Sequence, residues 1–362
     1  MGQDSFPIRK IDHLRFVCGN AMHTAEWYRQ VFGFDIKAYS GLETGSKREA
    51  SYLLTQNDVR FVISSPLVPD HPEGTFLSTH GDFVRDICFE VDDVDWAFKT
   101  AIERGATAHS EPETLEDSFG KVRRAAIHTY GDVLHTFLNR DQYSGLFMPG
   151  YTPREKKGDP IGFEYVDHIV GNVEWNGMNK WVNWYAKILG FEQLVHFDDK
   201  DISTEYTALM SKVMQSGNGR VKFPINEPAE GKKKSQIEEY LDFHGGPGVQ
   251  HIALHVTDII SAITKLRERG LEFLAVPKTY YDTVVERVGE IEEPLNAIAD
   301  LGILVDRDDE GYLLQLFTKP VEDRPTLFFE IIERHGARSF GKGNFKALFE
   351  AIEREQALRG TL

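Results

Sequence analysis

Three residues far apart in this chain have the types that together hold a catalytic metal: His168, His251 and Glu330. A lone histidine on a strand is more often a core or surface residue than a ligand, so the case rests on their company. His168 and His251 stand on the first strands of two similar modules, and a pseudo-symmetric fold would bring them to the mouth of one curved sheet. Glu330 sits in the apolar run Leu327-Phe328-Phe329-Glu330-Ile331-Ile332, where an unpaired carboxylate is costly to bury. A metal ion removes that cost. Two neutral imidazoles and one carboxylate form the facial triad of non-haem iron(II) oxygenases, which leaves coordination positions free for substrate and dioxygen. Zinc accepts the same three ligands for hydrolytic or polarising chemistry, so the residues alone leave the metal open between the two.

What positions these residues is an internal repeat, the first thing to seek in a long chain. Ile11-Asp12-His13 parallels Val166-Asp167-His168, and Trp27-Tyr28 through Gly33-Phe34 parallels Trp184-Tyr185 through Gly190-Phe191. Each stretch reads as a strand, an amphipathic helix and a glycine stop. Phe83 through Val91 matches Gly248 through Val256, and the helices that follow both close on Glu-Arg-Gly, at residues 103–105 and 268–270. A third match sets Gly131 through Phe137 against Gly311 through Phe317, a turn and an alternating strand. The expected fold is therefore α+β: two repeated domains, each of two βαβββ modules, forming a curled sheet around a pocket. The polar stretch from Met148 to Gly162 reads as a linker, giving a non-catalytic domain at 1–154 and a catalytic one at 155–362. Phe345, Leu348, Phe349 and Ile352 follow helical spacing, so the chain is expected to end in a docked helix.

Bulk properties agree with a two-domain globular protein. Among 362 residues, 41 basic against 57 acidic side chains give a formal net charge of −16, which disfavours nucleic acid and anionic lipid as partners. No apolar run is long enough for a membrane span, the N-terminus lacks an apolar signal core, and the two cysteines suggest a reducing compartment. The cytoplasm is the expected location.

Several segments carry a resemblance: Val166-Asp167-His168, Pro224 through Pro228, Lys234 through Ile237, Gln250-His251, Leu314 through Lys319, Phe328 through Ile332 and Gly341 through Phe345. In order and spacing, linker and tail included, the chain resembles the 4-hydroxyphenylpyruvate dioxygenases of the vicinal oxygen chelate superfamily. The resemblance implies an Fe(II) cofactor on His168, His251 and Glu330, with 4-hydroxyphenylpyruvate and O2 as substrates. It implies oxidative decarboxylation, ring hydroxylation and side-chain migration to homogentisate and CO2, and a homo-oligomer. It further implies Ser211, Asn226, Gln236, Gln250 and Gln315 as polar groups around the substrate, and Phe317, Phe328, Phe340, Phe345, Pro224 and Leu304 as the pocket wall. Gln250 is the awkward member, because a neighbour of His251 faces away in a regular strand. Phe345 and its helix are expected to form a lid.

The nearest alternative is 4-hydroxymandelate synthase, which uses the same substrate and iron but hydroxylates the benzylic carbon. Pro224, Asn226 and the Gly341–Phe345 motif follow the dioxygenase pattern instead. Glu333 departs from it, where glutamine is common. From a different class, metal-dependent isomerases and non-catalytic ligand binders share the module repeat, and a binder would not need a complete triad. In the N-terminal half, His13, Asp86 and His135 match His168, His251 and Gln315 in this reading; residue types alone would allow a metal there, but no counterpart of the Phe-Phe-Glu strand follows Arg140, and the resemblance implies that this half is structural.

Overall fold

A computed structural model describes residues 6–197, 204 and 206–362. The N-terminal half forms one sheet from β1 (Ile8–Val17), β2 (Asp35–Ser40), β3 (Glu49–Gln56), β4 (Val59–Pro66), β5 (Phe83–Val91), β6 (Ala108–Asp117), β7 (Gly120–His128), β8 (Leu134–Tyr143) and β9 (Thr152–Lys156). The C-terminal half forms another from β10 (Val166–Asn172), β11 (Glu192–Phe197), β12 (Ala208–Gln215), β13 (Lys222–Ala229), β14 (Gly248–His255), β15 (Leu304–Arg307), β16 (Tyr312–Phe317) and β17 (Phe328–His335). Their strand orders are β6-β7-β8-β5-β1-β4-β3-β2-β9 and β11-β12-β13-β10-β14-β17-β16-β15. Read from β2 and from β11, the two orders superimpose strand for strand, with β9 as an addition to the first. The expected repeat of modules is thus the observed architecture.

The helices that join the strands are α1 (Ala21–Val31), α2 (Glu73–His80), α3 (Val94–Glu103), α4 (Met178–Leu189), α5 (Gln236–His244), α6 (Ile259–Glu268), α7 (Val284–Val288), α8 (Leu295–Leu301) and α9 (Phe345–Arg359). Their ends follow local chemistry. Asn20, Asp93 and Asp258 each accept a backbone N–H at the start of α1, α3 and α6, and Ser235 with Glu238 forms a reciprocal cap on α5. Gly190 closes α4 at φ 63°, a conformation that disfavours a Cβ. The convex faces of the two sheets share a core: Phe32 of the α1 end packs on Phe329 of β17 at 4.8 Å, and Phe89 of β5 on Phe223 of β13 at 6.0 Å. The concave faces are left for pockets.

Two details differ from the sequence expectation. The linker stretch contains β9, which pairs with β2 through Tyr39 and Thr152, so the expected boundary at 154/155 falls inside a strand of the first sheet. Residues 152–156 are all exposed, and an edge strand of this kind carries no apolar alternation by which to read it. The third repeat match also shifts by one strand. β8 runs parallel to β5 as β17 does to β14, so β8 is the counterpart of β17 and not of β16. A turn followed by a period-2 apolar strand recurs at every hairpin, and that pattern alone cannot choose between neighbouring strands.

The register then fixes the true equivalences. Asp86 lies beside Leu134, and His251 beside Phe328, which puts Thr136 where Glu330 stands and His135 where Phe329 stands. His135 consequently points to the core, where it bonds the Ile87 carbonyl at 3.1 Å and the Tyr185 hydroxyl at 2.7 Å. The His13, Asp86 and His135 set therefore does not converge, and Asp86 is instead bonded by the Thr136 backbone N–H at 3.0 Å.

Candidate active site

His168, His251 and Glu330 come from three adjacent central strands, β10, β14 and β17. Glu330 Oε2 lies 3.1 Å from His168 Nε2 and 3.3 Å from His251 Nε2, and all three side chains are buried. Burial alone would raise the Glu330 pKa, but its two histidine neighbours hold it down, so the carboxyl is an anion. The group is one of three His/Cys/Asp/Glu clusters among the described residues whose ligand atoms lie within 4.8 Å of one another. The other two are Asp12, His13 and Cys88, and Glu293, Glu333 and His335.

Each imidazole is oriented through its other nitrogen. His168 Nδ1 donates to Asp167 Oδ1 at 2.7 Å, and His251 Nδ1 donates to Gln250 Oε1 at 3.0 Å. Those bonds set the tautomers and leave both Nε2 lone pairs facing the Glu330 carboxylate. Three electron-rich atoms so placed repel one another unless a cation lies between them, so this donor set fits a divalent metal.

Side chains adjacent in sequence meet here because the strands are bulged. The β10–β14 register passes from Val166–Leu254 to His168–Ala253 and from Val170–His251 to Gly171–Val249. Asp167 and Gln250 are the extra residues, and a bulged residue can share the face of its neighbour. This removes the difficulty with Gln250. Asp167 was missed by strand alternation, as was Arg334, whose Nε and Nη2 grip the carboxylate at 2.7 and 2.8 Å. The Asp-His pair occurring in both halves was the available signal.

A cavity opens from the triad. Ser211, Asn226, Gln236, Gln250, Pro224, Phe317, Phe328, Phe340 and Phe345 all line it. Phe328 stacks on His251 at 4.8 Å, and Phe340 meets the His168 ring edge-on at 5.1 Å. Leu348 and Phe349 of α9, together with Val170, Phe197, Leu209 and Val213, complete the wall and were not singled out beforehand. Two expected residues lie outside it. Leu304 shares an apolar cluster with Phe317 and Phe328. Gln315 is buried against Gly341 with neither amide atom hydrogen-bonded.

That contact explains the glycine: Gly341 has φ +74°, and a Cβ there would lie 2.6 Å from Gln315 Nε2. The tail helix α9 is anchored over the cavity by Arg359 to Glu239 at 2.8 Å and by the Thr207 hydroxyl to Glu353 at 2.6 Å. Glu333 is structural, accepting the Ile259 N–H at the start of α6 at 2.8 Å.

Residues 10–122 and 165–316 match the model of the glyoxalase/bleomycin resistance protein/dioxygenase superfamily. A 4-hydroxyphenylpyruvate dioxygenase of Yarrowia lipolytica is 47% identical, over 98% of this chain and 94% of that protein. One from Danio rerio is 48% identical over 97% and 91%. The chain belongs to the 4-hydroxyphenylpyruvate dioxygenase family. Among solved structures, a substituted form of 4-hydroxymandelate synthase from Streptomyces coelicolor aligns with TM-score 0.87 at 29% identity, covering 97% of this chain and 99% of that one. An Mn(II)-bound glyoxalase from Novosphingobium aromaticivorans shares the fold at TM-score 0.51 and 12% identity, over 90% and 82% of the two chains. Dioxygenase chemistry in this superfamily calls for a metal. Among the described residues, no helix is long and apolar enough to cross a membrane.

Proposed function

We propose that this enzyme converts 4-hydroxyphenylpyruvate and O2 to homogentisate and CO2, with Fe(II) held by His168, His251 and Glu330 in a catalytic domain spanning 155–362. The observation that carries the reading is the convergence of two Nε2 atoms and one carboxylate at the floor of an aromatic cavity. Fe(II) at that position supplies the reducing power that activates dioxygen and a Lewis-acid seat for the keto and carboxylate oxygens of the substrate.

The remaining steps belong to the chain. Phe317, Phe328, Phe340 and Phe345 hold the ring and exclude water, which protects reactive species from side reactions. Ser211, Asn226 and Gln236 offer neutral partners to the phenol hydroxyl and carboxylate, and Gln250 is committed to orienting His251. Gln315, whose buried amide has no hydrogen-bond partner in the protein, is read as a further polar group of the site. Asp167 and Arg334 fix the His168 ring. The N-terminal half, 1–154, lacks a carboxylate at the Glu330 position and is read as non-catalytic, a contributor to a cytoplasmic homo-oligomer.

Anaerobic reconstitution with Fe(II) and 4-hydroxyphenylpyruvate, followed by oxygen, is expected to release CO2 and homogentisate in equal amounts. Hydroxymandelate as product would favour the reading suggested by the structural likeness to 4-hydroxymandelate synthase. No oxygen uptake by the iron-loaded protein would overturn both.

A further inference from the structure

Beyond the Asp167–Arg334 pair, residues of the two halves line a second, open cavity of about 440 Å³. It is lined by positions that the repeat relates to each other. The registers of β1 with β4 and of β10 with β13 match Arg60 to Lys222 and Asp58 to Arg220, and Lys10 corresponds to Tyr165 by the same alignment.

The two sides of this cavity differ in charge balance. On the N-terminal side, Lys10 lies 3.1 Å from Asp58, and Arg60 lies 3.8 Å from an Asp12 oxygen. On the C-terminal side the carboxylate has been replaced by Arg220 and the lysine by Tyr165. Asp167, the carboxylate acting on Lys222, is already gripped by both donors of Arg334 and by His168. Asp12 and Asp58 also line the cavity but are engaged by Arg140, His13 and Lys10, so neither Lys222 nor Arg220 has a carboxylate within ion-pair distance among the described residues. Lys222 is half-buried: burial lowers its pKa, the charge of Asp167 opposes that, and the charges of Arg334 and Arg338 add to the lowering, so the net direction is down. A half-buried ammonium facing like charges is unfavourable unless an anion joins it. The surplus stands out in a chain of net charge −16.

We propose that this cavity binds a small dianion of the phosphate class, with Lys222 and Arg220 as its charged contacts and Arg334 as part of its wall. Two unpaired cations in one concavity match a doubly charged oxyanion. One is a guanidinium, which suits bidentate contact to such an anion, and the other is a point charge fixed by its surroundings. Arg334 borders the cavity and grips Asp167, which orients His168, so the occupant would lie one residue removed from the triad's support.

The test is calorimetry and thermal unfolding of the metal-loaded protein at constant pH and ionic strength, with inorganic phosphate in one arm and succinate in another. One saturable phosphate site per chain is expected, with a melting temperature that rises and levels off, and no response to succinate. Lys222→Met and Arg220→Ala should each weaken phosphate on the order of tenfold, the loss of one charge-assisted contact. Arg220 is exposed, so its variant should fold normally. Lys222→Met should melt higher than wild type without phosphate, because the unpaired, half-buried charge is gone. Absence of a saturable phosphate heat, succinate binding in its place, or equal phosphate affinity in wild type and both variants overturns the proposal. The last result would place the phosphate on the metal instead.

Discussion

Replacing Asp167 by Asn separates the structural and metal-positioning parts of the support for His168. The wild-type carboxylate accepts His168 Nδ1 at 2.7 Å and both Arg334 nitrogens at 2.7 and 2.8 Å, in a buried setting. An asparagine can keep its oxygen toward the imidazole, but its NH2 then faces Arg334 Nε donor to donor. The guanidinium would be left buried without a counter-charge, a defect that costs about 3–5 kcal/mol. Arg334 also donates to the carbonyls of Ala337 and Ser339 at 3.1 and 2.7 Å, which places the expected loss near the lower end. Removing a carboxylate behind a ligating histidine typically weakens metal binding about 10- to 100-fold. The N-terminal half offers the control, because Asp12 accepts His13 Nδ1 at 2.6 Å and pairs through one oxygen with Arg140, the counterpart of Arg334. Asp12→Asn should lose comparable stability to urea yet leave Fe(II) affinity unchanged, since Thr136 stands where a ligand would be needed. Urea unfolding of the metal-free proteins and anaerobic Fe(II) titration read the two effects separately. Equal changes in Fe(II) affinity for both variants, or wild-type affinity in Asp167→Asn, would refute the reasoning.

Two further outcomes follow from the same contacts. Truncation after Ser339 removes Phe340, Phe345, Leu348 and Phe349 from the cavity wall while keeping Glu330. Turnover should fall on the order of a hundredfold as water gains access, and unimpaired product formation would rule out the lid. Glu322 has its pKa raised to about 8 by burial and by the charges of Asp82 and Asp323. Its folded form keeps a proton that the unfolded chain releases near pH 4.5, so stability should decline as pH rises from 4.5 to 8. Glu322→Gln should therefore be roughly 2–4 kcal/mol more stable than wild type at pH 7.5, with most of that gain gone at pH 5. The same gain at both values by urea unfolding would contradict the shift.

The parts of this molecule that could be read in advance are those written in residue type and recurring order. The paired Asp-His strands, the glycine stops at Gly33 and Gly190 and the Glu-Arg-Gly helix ends announced the repeat, and the strand orders match it. The apolar setting of Glu330 pointed to a partner, and two histidines supply it. What escaped were features that depend on register. β9 is a fully exposed edge strand, so no burial pattern marked it. Leu304 is as apolar as a wall residue, but it stands on the edge strand β15, clustered with Phe317 and Phe328 and outside the cavity lining. Composition cannot tell those positions apart.

The bulges at Asp167 and Gln250 illustrate the limit and its cause. Alternation puts a histidine and its immediate neighbour on opposite faces, so neither residue reads as an imidazole partner unless the strand gains an extra residue. The N-terminal half carries the same bulge between Ile11 and His13 and another between Arg15 and Phe16, beside a histidine that faces no carboxylate equivalent to Glu330. The distortion is therefore a property of the repeated scaffold and does not arise from the metal chemistry. Both halves keep an Asp-His-Arg support, and what distinguishes the C-terminal half is the short list of side chains placed on that support: His251 for Asp86, Glu330 for Thr136 and Phe328 for Leu134. If so, the orientation of His13 should survive loss of metal from the other half, because nothing that holds it depends on an ion.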